Sequence, residues 1–152
     1  MARMQVAYYK GRTRIFNRVV SWWLSGPYSH TELVLDEVDG LSECGSSSFM
    51  DGGVRVKFMK LDPEHWDLVD VDGDVCKARQ WFRDHRGDQY GLLGLLGFVW
   101  RRGTRDKNKR ICSEAIAAAL GYVEPWRFDP MGFWAATARR YQSATFENAA
   151  HG

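Results

Sequence analysis

The chain has 152 residues, 45% of them hydrophobic and 14% aromatic, with a net charge of +2. That composition excludes a disordered tail and fits one domain over 1–152 with a single sizeable core. Three cysteines (Cys44, Cys76 and Cys112), with no CxxC pair, argue against a disulfide scaffold and a zinc site, and leave room for one reactive thiol.

MQVAYYK reads as a short strand ending at Gly11, and Thr13 caps a helix to about Leu24 with Ile15, Val19, Trp22 and Trp23 as its apolar stripe. Gly26-Pro27 stops that helix. HTELVLDEV, the Asp39-Gly40 turn and LSECGSSS read as a hairpin, and Asp51-Gly52-Gly53 turns into the alternating strand VRVKFMK. WDLVDV after Pro63 brings this meander to four or five strands. Asp72 or Asp74 then caps a helix with Val75, Ala78, Phe82 and His85 on one face, ending at Gly87. GLLGLLGFVW, Gly91 to Trp100, and a basic loop follow. ICSEAIAAALG is a helix ending at Gly121, and Asp129-Pro130 opens a C-terminal helix through Phe133, Trp134 and Ala138. The expected class is α+β, an antiparallel sheet packed with helices.

No stretch reaches the ~18 apolar residues of a membrane span. MARMQVAYYKGR has no apolar core of a signal peptide, so the expectation is a chain without a transmembrane segment, made in the cytoplasm. Charge is uneven: residues 1–76 carry −4 and residues 77–152 carry +6. Arg101–Arg110, RRGTRDKNKR, holds six bases and one acid. It reads as a solvated loop or as a contact for an anionic polymer such as teichoic acid, lipid headgroups or nucleic acid. The seven tryptophans read as core before they read as a platform for sugar rings.

Cys112 opens a short Ala-rich helix. A thiol there feels the positive end of the helix dipole and nearby backbone N–H donors, which lower its pKa, and the same donors steady an oxyanion. The alternative is a buried structural thiol. His30 opens the strand HTELVLDEV after a Gly-Pro-Tyr-Ser turn, at the rim of the sheet, where a general base can reach a helix end. His65, after a Pro-Glu turn, His85, on a helix, and His151, in the tail, are weaker candidates.

YSHTELVL, with ICSEAIAAAL placing its Cys 82 residues after the His, resembles the circularly permuted branch of the NlpC-type papain-fold cysteine hydrolases. That branch includes YiiX-like bacterial proteins, small phage-encoded members and, more distantly, the lecithin:retinol acyltransferase group. GDQYGLLGLL is similar to the G-x-x-Y-D-x-x-G-L segment before the Cys helix, although the family's Asp is here Gly91. CSE is a common form of the nucleophile motif, and SSSFMDGGVRVK is similar to the phage members. The likeness spans roughly Tyr28 to Gly121.

The resemblance implies a permuted papain-like fold, a Cys112 nucleophile, a His30 base and a polar third residue on the next strand that orients the imidazole. A turn near Asp36-Glu37 places Glu43 opposite His30; a turn at Asp39-Gly40 places Ser46 to Phe49 there. Carboxylate chemistry selects Glu43. Glu32 shares a strand face with His30 but, two residues along, is read as poorly placed to orient the ring. No cofactor or metal is implied. The implied substrate is an amide, above all the peptide part of cell-wall peptidoglycan, with esters and thioesters open through the acyltransferase and lipid-hydrolase relatives. Such a chain reaches a wall as a phage component or an exported effector. The alternative function is a binding or structural module, for example in a virion, that keeps the fold without the activity.

Overall fold

A computed structural model of the chain describes residues 2–11, 27–90 and 109–138. The helix expected from Thr13 to Leu24, the run Gly91–Trp100 and residues 101–108 of the basic loop lie outside them.

Five strands form one antiparallel sheet: β1 (Ala2–Tyr9), β2 (His30–Val38), β3 (Leu41–Ser48), β4 (Gly53–Met59) and β5 (Trp66–Gly73), in the order β4-β3-β2-β1-β5. The β2–β3 connection is a two-residue turn, with Val38 paired to Leu41 and both Asp39 (φ 52°) and Gly40 (φ 75°) left-handed. That backbone matches the twist of the flanking strands, which is why Asp-Gly marks the hairpin. β5 does not continue the meander. It crosses back to the free edge of β1 and pairs along its whole length, from Ala2↔Gly73 to Tyr9↔Trp66. The sheet edge left open by the N-terminal strand, and the Tyr9–Trp66 ring contact at 5.0 Å, account for the choice.

Helix α1 (Val75–Asp84) is capped by Asp74, whose carboxylate accepts from the N–H groups of Cys76 (3.0 Å) and Lys77 (3.2 Å). Its buried Phe82 lies over Gly45, where an added Cβ would come within 2.5 Å of the ring. Two short parallel strands, β6 (Gln89–Tyr90) and β7 (Lys109–Arg110), flank the stretch read as Gly-rich segment and basic loop. Helix α2 (Cys112–Ala119) has Cys112, Ser113, Ala115, Ile116, Ala117 and Ala119 buried. It ends in a Schellman motif, with Gly121 at φ 77°, its N–H on Ala118 and the Tyr122 N–H on Ala117. A 3₁₀ turn (Pro125–Arg127) leads to helix α3, residues 130–138, where Asp129 Oδ1 accepts from Gly132 N–H at 2.6 Å.

The main core lies between one sheet face and the helices, joining Met4, Val6 and Tyr8 of β1, Leu33 and Leu35 of β2, Phe82, Ile116 and Phe133. Ala7, Val34, Cys44 and Trp66 form a smaller cluster on the other face, as the strand period of two requires. Among the described residues no helix is long and apolar enough to cross a membrane.

Candidate active site

The entry to β2 is fixed from several sides. Tyr28 packs against Tyr8 (5.4 Å between rings) and Trp134 (5.6 Å), and its hydroxyl donates to Asp67 at 2.7 Å. Ser29 N–H donates to Tyr9 O at 3.1 Å. His30 therefore opens β2 opposite Tyr9, with Trp66 edge-on to its ring at 6.3 Å. Helix α2 packs across β2 and β3 and brings its first residue, Cys112, to this end of the sheet.

The Cys112 sulfur and the His30 ring lie close enough for the charge of each to shift the titration of the other. The ring is held by a carboxylate: His30 Nε2 lies 2.8 Å from Glu32 Oε1. With Nε2 engaged by the carboxylate, Nδ1 is left as the nitrogen that can serve a neighbouring acid. His30 keeps 21% of its side chain exposed, whereas Glu32 is 1% exposed and Cys112 is 1% exposed.

The buried Glu32 carboxylate is matched by Arg55 of β4. Nη1 donates to Oε2 at 2.6 Å and Nη2 to Oε1 at 2.5 Å, a two-pronged contact. Arg55 Nε is tied in turn to Asp51 at 2.7 Å, and Asp51 also takes Lys57 at 2.7 Å. Arg55 crosses β3 to reach Glu32. It can do so because the β3 residue paired with it is Ser46, whose small side chain is turned back to donate to Thr31 O at 2.6 Å.

Electrostatics follow from these contacts. Burial opposes charge on Cys112, but the positive charge of His30, with the polar groups of Thr31 nearby, holds the thiol below its ordinary value. Burial would also lower the His30 pKa; Cys112 and Glu32 together reverse that and raise it. Glu32 is likewise opposed by burial, yet Arg55 and His30 bring it down to about 2. The thiol of Cys44 is pushed the other way by burial, up to about 12. The Thr31 hydroxyl is buried with no hydrogen-bond partner among the described residues.

Of the residues singled out from sequence, Cys112 and His30 are brought together and Glu43 is not. The hairpin turns at Asp39-Gly40, so Glu43 pairs with Asp36 and forms an ion pair with Arg79 of α1. Ser46, the alternative, is occupied with the Thr31 carbonyl. Glu32 lies against the imidazole instead, because its side chain curls back along the strand face it shares with His30. Its signal was a carboxylate at the buried end of a strand, with VRVKF two strands away offering Arg55 and Lys57 on one face.

The remaining candidates fall elsewhere. His65 stacks on Tyr9 and faces Asp62 at 3.2 Å, and His85 Nδ1 lies 2.8 Å from Trp81 O. Among the described residues one trio, Asp62, Glu64 and His65, brings potential metal-ligating atoms within 4.8 Å of one another. An Asp62-centred turn, in which the carboxylate accepts from Glu64 N–H at 3.0 Å, accounts for that convergence. His151 lies outside the described residues, as do positions 101–108 of the proposed anionic-polymer contact.

No family model, curated protein or solved structure matches the chain.

Proposed function

We propose that the protein is a cysteine hydrolase of the permuted papain-like kind, with Cys112 as nucleophile, His30 as general base and acid, and Glu32 orienting the imidazole. One observation carries the reading: a buried thiol at a helix N-terminus is held below its ordinary pKa by a histidine whose Nε2 lies against a buried, ionised carboxylate. The order His first, Cys last, and the motifs YSHTELVL and ICSEAIAAAL support the permuted assignment.

In this reading His30 takes the Cys112 proton and the thiolate attacks a carbonyl carbon, moving the C=O pair onto oxygen. Backbone N–H groups of the first turn of α2 stabilise that oxyanion, since a helix's first N–H groups have no acceptor within the helix. Collapse expels the leaving group, which takes the proton from His30, and leaves a thioester on Cys112. Water then gives its proton to His30 as it attacks the thioester, and a second collapse frees the acid and restores the thiol–imidazole pair. The substrate we propose is an amide, first of all the peptide stem of peptidoglycan; esters and thioesters are the next class to assay.

The burial of Cys112 favours a second reading, a binding module that keeps the arrangement without turnover. Alkylation by iodoacetamide from pH 4 to 9, in wild type and His30→Ala, separates the two. The hydrolase gives fast labelling at Cys112 with an apparent pKa well below the ordinary thiol value of about 8.5, lost in the variant. Slow labelling that is indifferent to His30 establishes the module.

A further inference from the structure

We propose that Arg55 is a positioning residue for this site: its two-pronged grip on Glu32 keeps that carboxylate ionised and turned toward His30, and so fixes the imidazole face presented to Cys112. The inference rests on the cysteine-hydrolase reading and extends it from the site to the sheet beneath.

The geometry leaves Glu32 little freedom. Oε2 takes Arg55 Nη1, while Oε1 takes both Arg55 Nη2 and His30 Nε2, so the carboxylate plane is set by the guanidinium and one oxygen is shared with the base. A planar fork of this kind fixes orientation, which a point charge does not. Arg55 is itself held at Nε by Asp51, which Lys57 also holds. Charges thus alternate from the exposed Lys57 through Asp51, Arg55 and Glu32 to His30 and the Cys112 sulfur.

A buried carboxylate without its cation protonates or turns toward other donors. A protonated Glu32 stabilises the imidazolium less, and the thiolate with it. The titratable and charged groups facing this cluster are His30 from β2, Cys44 from β3, Arg55 and Lys57 from β4, Asp51 from the turn before β4, and Cys112 from α2. Only Arg55 contacts both oxygens of Glu32 among the described residues.

The test is the pH profile of Cys112 alkylation by iodoacetamide in the full chain, with near-ultraviolet circular dichroism as the check on folding. Wild type, Arg55→Met, Arg55→Lys, Glu32→Gln and the double variant Glu32→Gln/Arg55→Met are compared, with His30→Ala as reference. The double variant removes both buried charges and is the background in which Arg55 has nothing left to position. Arg55→Met is expected to move the acid limb of the profile upward by about one pH unit, a roughly ten-fold slower reaction at pH 6. Arg55→Lys recovers part of that shift, and in the Glu32→Gln background the effect of Arg55→Met disappears. A role confined to holding the fold together would not make the shift depend on Glu32.

A folded Arg55→Met with the wild-type profile overturns the proposal while leaving the dyad standing, provided His30→Ala still abolishes fast labelling. Should Arg55→Met not fold, Arg55→Lys decides: a raised acid limb supports the role and a wild-type limb overturns it. Slow, His30-independent labelling of the wild type overturns the hydrolase reading and this inference together.

Discussion

A carboxylate two residues along the same strand can serve a histidine when its side chain is buried and pulled to one side. Glu32 meets both conditions, through its 1% exposure and its contact with Arg55. Glu32→Gln is therefore expected to slow Cys112 alkylation at pH 6 by about ten-fold, since an amide holds the imidazolium without charge. Glu43→Gln, which breaks only the Arg79 contact, is expected to leave the rate unchanged. Equal losses in the two variants would return Glu43 to the site. Thr31 gives a finer probe of the sulfur itself. Thr31→Val removes a buried hydroxyl that has no hydrogen-bond partner among the described residues; if that hydroxyl donates to the Cys112 thiolate, the apparent Cys112 pKa should rise by about one to two units, as expected for a hydrogen bond to a charged group. An unchanged profile would exclude a donor role for that hydroxyl.

At the scale of elements, the site depends on where β2 begins and where α2 begins. Helix α2 is anchored beyond its own packing by the buried Ser113, whose hydroxyl donates to Phe128 O at 2.6 Å. Ser113→Ala leaves that carbonyl short of a partner and should cost about 1–2 kcal/mol in urea denaturation. It should leave the His30-dependence of alkylation in place, because the Cys112 contacts are untouched. The start of β4 is a tighter point. Gly53 has φ 141°, and a Cβ there would fall 1.9 Å from Asp88 O, in the stretch where Val54 N–H bonds the same carbonyl at 2.8 Å. Gly53→Ala should lower stability by about 2 kcal/mol or more. A wild-type urea midpoint would show that the turn yields without cost.

For the whole molecule, the Glu32–Arg55 pair couples stability to pH. The folded pKa of Glu32, about 2, lies below the ordinary carboxylate value. Its stabilising contribution is therefore complete above pH of about 4.3 and is lost as pH falls toward 2. Breaking such a pair on one side leaves an uncompensated buried charge, at about 3–5 kcal/mol, whereas removing both charges is far milder. Urea midpoints at pH 6 and pH 3 should show a larger loss on acidification for wild type than for Glu32→Gln/Arg55→Met. Equal losses would show that acid sensitivity resides in other carboxylates, Asp51 first among them, which the Lys57 and Arg55 contacts hold at about 2 against the effect of burial.

The strands of the sheet, the Asp39-Gly40 turn, an Asp cap at position 72 or 74 and the helices opened by Cys112 and Asp129-Pro130 were legible in the sequence. Each is set by neighbours within a few residues: alternation, a left-handed turn, a side chain reaching the next free N–H groups. Cys112 and His30 were legible as candidates for a related reason, since both sit at element ends that local signals mark. What lay beyond local signals was decided by strand order and packing. β5 chose β1 over β4 because an open strand edge and the Tyr9–Trp66 contact were available only in the assembled sheet. Glu32 rather than Glu43 lies against His30 because the register turns Glu43 toward Arg79, while Arg55, 23 residues away in sequence, reaches Glu32 across the small Ser46. Which carboxylate orients a base depends on the cation that neutralises it in the dry interior, and only the tertiary structure brings that cation near.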